Sequence, residues 1–274
     1  MIIRFVAGLV LSGLIAVPGF AADMPVKARM AVKAPPPVVY SWTGCYIGGN
    51  AGYGWQDAHN RLAITNGAGA AAYFNPIVIP GVEATGTGSL DSSGFTGGVQ
   101  AGCNLQNGRV VWGVEGDFNW FDQGARFGGQ FPFSNGAGSY LITVDDSKKW
   151  LATARGRVGY AHDRALFYAT GGLAALRVDF AQTFIEPGFS DLQVASFSDT
   201  KLGWTVGAGI EAAPWGCCWS VKLEYLYARF NSSTVSSPVI GINAAAGRSA
   251  TFTNNFGDIN LNVVRAGLNY RFGN

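Results

Sequence analysis

Glu115 and Asp117 stand two residues apart in the stretch WGVEGDFNW, Trp112 to Trp120. Two carboxylates that close could form a general acid/base pair, one protonated and one ionised. In an extended chain, residues two apart point to the same side. The acids would then share one face of a strand, with Trp112, Val114, Phe118 and Trp120 on the other. Few other residues could do chemistry. The chain has two histidines. His59 falls in a long polar segment and His162 in a short turn of the opposite rim, so no Ser/His/Asp set or shared metal site assembles from them. Cys45, Cys103, Cys217 and Cys218 lack the spacing of a zinc site. Charged residues make up 13% of the 274 and the formal net charge is +2. That low charge, without a concentrated basic stripe, argues against nucleic acid as a partner.

The elements that must position these residues repeat a period of two. In CYIGGNAGYGW, Cys45, Ile47, Gly49, Ala51, Tyr53 and Trp55 alternate with Tyr46, Gly48, Asn50, Gly52 and Gly54. In FTGGVQAGCNLQ, Phe95, Val99, Ala101, Cys103 and Leu105 alternate with Thr96, Gly98, Gln100, Asn104 and Gln106. Strict alternation over such lengths predicts strands with one bulky apolar face and one small or polar face. Asn107-Gly108 marks a tight hairpin. The strand with the two acids follows, then WLATARGRVGY, which puts Arg155 and Arg157 opposite to Trp150, Val158 and Tyr160. ALFYATGGLAAL, of ambiguous facing, continues the pattern. LGWTVGAGIEA carries Glu211 on the polar face, WSVKLEYLYARF carries Lys222 and Glu224, and NVVRAGLNYRF carries Arg265 and Arg271. That makes eight strands. Short turns fall at 107–108, 161–164 and 214–218; long polar segments fall at 58–91, 121–148, 179–199 and 231–258. The alternation of short and long connections predicts an all-β, eight-stranded antiparallel up-and-down transmembrane β-barrel, with the long loops extracellular.

A soluble barrel buries its large side chains and shows polar ones to water. Here the charges share a face with glycines and the bulky residues share the other, the arrangement for a narrow interior and a lipid-facing exterior. A closed barrel also satisfies every backbone hydrogen bond in lipid. The nine charges Glu115, Asp117, Arg155, Arg157, Glu211, Lys222, Glu224, Arg265 and Arg271 then point inward, where mixed signs imply pairing. The cluster is either a structural salt-bridge plug or a charged constriction that selects small solutes. The small lumen of eight strands favours the plug.

At the N-terminus, Arg4, the apolar run Phe5 to Val17 and PGFAAD read as a signal peptide, residues 1–21, cleaved after Ala21 or alternatively Ala22. Residues 22–41, basic and containing Pro35-Pro36-Pro37, read as a periplasmic leader. The barrel domain is then 42–274.

The segments WTGCYIGGNAGYGW, GFTGGVQAGCNLQ, VVWGVEGDFNW, TARGRVGYA, YATGGLA, KLEYLY and VRAGLNYRF resemble the porin-like outer-membrane barrel proteins of alphaproteobacteria, a family that includes surface antigens and haemin-binding proteins. The resemblance covers roughly residues 42–272. It implies an eight-stranded barrel in the outer membrane, with no enzymatic activity and no cofactor. Its surroundings would be outer-membrane lipid and lipopolysaccharide, and its folding partner the barrel assembly machinery. Some members form pores and others bind haemin or host surfaces, through no shared motif. On this reading His59 is the candidate haemin ligand, and Tyr73, Phe74, Phe131, Phe133 and Phe189 are loop aromatics, free for binding or packed on the rim. Tyr270 and Phe272 form the C-terminal assembly signal, followed here by Gly273 and Asn274 where the family usually ends on an aromatic. Position 45 is usually aromatic in the family. Here Cys45 shares an outward face with Cys103, and the two form either a cross-strand disulfide or a pair of small apolar residues in lipid.

Overall fold

The computed structural model describes residues 40–69, 72–188, 191–216, 218–240 and 246–272. The signal segment, nearly all of the leader, Phe189, Cys217 and the Gly273-Asn274 extension lie outside them. In chain order the elements are β1 (Gly44–Asp57), β2 (His59–Asn66), α1 (Ile79–Gly86), β3 (Gly88–Ser89), β4 (Ser92–Asn107), β5 (Val110–Pro132), β6 (Ser139–His162), β7 (Ala165–Glu186), β8 (Asp191–Ala212), β9 (Trp219–Phe230), β10 (Ser233–Pro238), β11 (Ala250–Phe256) and β12 (Ile259–Phe272). Eight of them close a barrel in the order β1-β12-β9-β8-β7-β6-β5-β4, each neighbouring pair antiparallel. The remaining four strands form a separate sheet in the order β10-β11-β2-β3.

Alternation explains the barrel wall. Ile47, Phe95, Val99, Leu105, Trp112, Val114, Leu173, Leu202 and Leu223 are all exposed on the outside, while the polar partners between them are buried. Two aromatic levels bound this apolar band. Trp112, Tyr160, Trp219 and Tyr270 lie toward the end with the short turns; Trp120, Trp150, Trp204 and Tyr227 lie toward the other. Trp112 and Trp120 are eight residues apart, and Tyr160 and Trp150 ten. With about 3.4 Å per residue and a tilt of about 40°, that separates the levels by roughly 21–26 Å, the height of a lipid-facing band. The first hairpin is built on Gly108, whose φ of 61° supplies the left-handed conformation. Asn107 pairs with Val110, so the central residues are Gly108 and Arg109, and a glycine at the first of them is the type II′ arrangement.

The long polar segments are only partly loops. β5 to β8 run through 121–148 and 179–199 as continuous strands, and 58–91 and 231–258 hold α1 and the second sheet. Their sequences look irregular because the burial rule inverts above the upper aromatic level. There the apolar residues point inward. Phe121, Val144, Leu176, Val178, Phe180, Phe230 and Phe256 form one core, and Leu62, Phe74, Val82, Ile142, Phe184 and Phe252 belong to a second. A bulge between Lys148 and Trp150 also shifts the β6 register by one residue. Inward positions on β6 are odd-numbered below it (Thr153, Arg155, Arg157) and even-numbered above it (Tyr140, Ile142, Val144). One extra residue is enough to break an alternation read from sequence.

The charged lumen as candidate functional site

The barrel interior at mid-height is filled by eight charged side chains. Glu115 and Asp117 come from β5, Arg155 and Arg157 from β6, Glu211 from β8, Lys222 and Glu224 from β9, and Arg265 from β12. Strand register places Glu115 beside Arg155, Glu211 beside Lys222 and Glu224 beside Arg265. Contacts also cross the lumen. Arg155 donates to Glu115 at 2.5 Å, Asp117 at 2.8 Å and Glu224 at 3.0 Å. Arg265 donates to both oxygens of Asp117 at 3.0 and 3.1 Å and reaches Glu224 at 2.7 Å. Lys222 Nζ is 2.9 Å from both oxygens of Glu115. Arg157 donates to Glu211 at 2.9 Å. Side-chain exposure is 2% or less for every member of these pairs.

Neutral groups complete the cluster. Tyr46 donates its hydroxyl hydrogen to Glu115 at 2.6 Å and accepts from Arg157 at 2.9 Å. Tyr168 donates to Glu224 at 3.1 Å, and its ring lies 3.9 Å under the Arg157 guanidinium. Thr153 and Asn119 donate to Asp117, Ser220 and Asn269 to Glu211. These partners satisfy carboxylate lone pairs that ion pairing alone would leave bare. Glycines make the room. A Cβ on Gly102 would meet the Tyr46 hydroxyl at 2.5 Å, and one on Gly209 would meet that of Tyr168 at 2.6 Å.

Arg271 lies outside the cluster. It is buried near the end with the short turns, donates to the backbone carbonyl of Trp42 and sits 4.9 Å from the Trp42 ring and 5.6 Å from that of Tyr40. The cause is the segment preceding β1. Trp42 is fully buried, its N–H donates to Gln106 at 2.6 Å, and it packs with Tyr40, Val111, Leu166, Tyr168 and Ala213. This segment stoppers the turn end of the barrel and takes Arg271 as its partner, although Arg271 shares the inward phase of the lumen residues. Of the residues not singled out from sequence, Tyr46 was legible, since it alternates in phase with Gly48 and Asn50. Tyr168 was hidden by the ambiguous facing of its strand, and Trp42, at the start of the barrel region, shares the phase of Tyr46 but carries no signal that sets it apart.

Cys45 and Cys103 are register partners on β1 and β4, face outward and are disulfide-bonded. Tyr270 and Phe272 face outward at the end of β12, with Tyr270 edge-on to Trp219 and Phe272 at ring distances of 5.1 Å. His59 opens β2, exposed, and among the described residues no group of three or more metal-ligating side chains surrounds it. The loop aromatics among the described residues pack instead of projecting. Tyr73, Phe74 and Phe133 are buried and Phe131 is half-buried against the same core. At the far end of the β7–β8 hairpin, the Tyr73 hydroxyl lies 2.8 Å from Glu186 and 2.9 Å from Asp191. Burial there pushes the Glu186 carboxyl above the usual range. The hydrogen bond from Tyr73 opposes this, and the Asp191 charge adds to it.

Comparison with known proteins agrees with this architecture. The chain matches the family described as outer membrane protein beta-barrel domain over residues 26–272. It is 35% identical over 271 residues to the 31 kDa outer-membrane immunogenic protein of Brucella melitensis, covering 96% of this chain and 97% of that one. It is 29% identical over 202 residues to the 22 kDa outer membrane protein of Rhizobium leguminosarum, covering 74% and 71%. Among solved structures, the outer membrane protein OprG from Pseudomonas aeruginosa aligns with a TM-score of 0.46 at 13% identity, over 85% of this chain and 97% of that one. An eight-stranded barrel with a lipid-facing exterior, matched by that family over most of its length, makes this chain a member of the outer membrane protein β-barrel family.

Proposed function

We propose that this protein is a structural surface barrel of the outer membrane whose lumen is sealed by its own ion pairs. The observation that carries this reading is the charge balance of the buried cluster. Four acids (Glu115, Asp117, Glu211, Glu224) meet four bases (Arg155, Arg157, Lys222, Arg265), all nearly without solvent exposure. A selective constriction needs charges that an ion can contact. Here each charge is committed to protein partners, and breaking one buried pair costs about 3–5 kcal/mol. An ion would have to separate several. The same commitment argues against an acid/base role for Glu115 and Asp117. Both are held by guanidinium and hydroxyl donors, with no face open to a substrate. Relatives named immunogenic outer-membrane proteins support a surface-exposed role.

Conductance of the refolded protein in a planar bilayer tests the reading. Wild type is expected to give no reproducible unitary steps, while Glu115→Gln and Arg155→Gln give sparse ones at most. Steady steps in wild type, with an ion preference that changes in these variants, would overturn the plug in favour of a porin.

A further inference from the structure

Strand β5 changes its surroundings halfway along. Up to Phe121 it pairs with β4 on one side and β6 on the other. From Gln123 to Pro132 it pairs with β6 alone, and among the described residues no other strand is hydrogen-bonded along its second edge, the nearest neighbour being Gly88 of β3, where a Cβ would meet the Phe127 ring at 3.4 Å. Among the described residues, no backbone bond from outside the wall reaches that edge. The other side of the wall is treated differently. Upper β8 exchanges backbone bonds between Leu192 and Ile240 at 2.8 Å, and Ser237 caps the Val194 carbonyl at 3.0 Å.

We propose that the free edge of β5, residues 124–131, is a docking site for an extended peptide segment of a partner protein, which adds as an antiparallel strand. A row of backbone donors and acceptors with no protein partner is a template for a further strand. The window is defined at both ends. A bulge between Trp120 and Gln123 separates it from the paired half, and Pro132 lacks the N–H needed to continue the ladder. Its eight residues span about 27 Å, enough for a segment of similar length. The two faces set the composition of that segment. Inward-pointing Ala125 and Phe127 are only partly buried against the core, as is Phe131. Arg126, on the other face, is 73% exposed. The fitting segment alternates apolar residues toward the core with polar residues outward.

A second copy of this chain fits poorly. Two barrels in one membrane related by a two-fold axis along the membrane normal tilt their β5 strands in opposite senses. With a tilt of about 35–45°, the two edges cross at roughly 70–90° and meet at a point instead of along a ladder. A flexible segment has no such constraint. This inference needs only the barrel and the long-strand end facing outward, and does not depend on whether the lumen conducts.

The test uses a fluorescein-labelled peptide of sequence SYLITVDDSK, copied from residues 139–148, which already pair with upper β5 from its other side. The full chain is refolded in detergent micelles, and a scrambled peptide is the control. A saturable anisotropy rise specific to the ordered peptide is expected, with hydrogen exchange slowed at alternate amides of 124–131. Phe127→Lys, which turns a charge inward on the edge, is expected to weaken binding at least tenfold with heat-shifted gel mobility unchanged. Absence of saturable binding to folded wild type, or protection mapping to another strand, overturns the proposal. So does edge-to-edge dimerisation of the barrel alone. Should Phe127→Lys fail to fold, the exchange footprint on wild type decides by itself.

Discussion

At the scale of single residues, the lumen is a network in which every charge but Glu211 has more than one charged partner. Arg265 bridges Asp117 and Glu224, and Arg155 touches Glu115, Asp117 and Glu224. Arg265→Met should therefore cost about 3–5 kcal/mol, because two carboxylates lose a buried counter-charge. The denaturant midpoint of the heat-modifiable folded form measures this. Adding Glu224→Gln to Arg265→Met should recover part of the loss, since fewer unpaired charges remain; an additive double variant would contradict the network. Glu186 belongs to a different setting. Its carboxyl is raised in the folded protein and ordinary in the unfolded chain. The stability it confers is then complete below the ordinary carboxylate value and lost as pH rises through the raised one. Amide protection in the β7–β8 hairpin, taken relative to the intrinsic exchange rate at each pH, should be higher at mildly acidic than at neutral pH, and Glu186→Gln should hold the higher protection at both.

At the scale of elements, two features stand outside the regular wall. The segment before β1 places Trp42, fully buried, across the turn end of the barrel with Arg271 beneath it. Trp42→Ala should destabilise the protein by about 3–5 kcal/mol, as for other buried large-to-small changes, and leave bilayers silent because the ion-pair layer above it is intact. Conducting Trp42→Ala barrels would make the stopper, and not the charges, the seal. The pairing of β1 with β4 is held by Cys45–Cys103, closing a loop of 58 residues. Loop-closure entropy sets an upper estimate of about 4 kcal/mol for its contribution. A thiol count on denatured, unreduced protein should find neither cysteine reactive, and Cys45→Ser with Cys103→Ser should lower the denaturant midpoint without altering the β1–β4 register.

At the scale of the whole molecule, one continuous wall crosses two solvents. Between the aromatic levels its apolar residues face outward; above them they face inward onto cores closed by the second sheet and α1. Hydrogen exchange should map this division. The β7 amides, paired on both sides over their length, should exchange slowly through Glu186. The upper half of β5, paired only with β6, should exchange fast from Gly124 upward at the alternate amides that point away from β6, even though it is strand throughout. Equal protection of both would mean that the free edge is covered in solution.

The barrel and its polarity were legible in the sequence because the side-chain period of a strand is a local property. Wherever bulky residues alternate with glycine and charge, as from Cys45 to Trp55 or Val110 to Trp120, each residue's facing follows from its neighbours. The inward placement of Glu115, Asp117, Arg155, Arg157, Glu211, Lys222, Glu224 and Arg265 was readable on the same ground. Which acid meets which base was not, since Arg155 and Glu224 lie across the lumen and are 69 residues apart in the chain. Arg271 shares the inward phase yet serves Trp42, a distinction made by a segment from the other end of the domain. The upper strands read as loops in the sequence because their apolar residues answer to a core supplied by distant elements, and because the bulge at Lys148–Trp150 breaks the alternation. Periodicity reports the face of a residue; only the closed tertiary structure decides which solvent or partner that face meets.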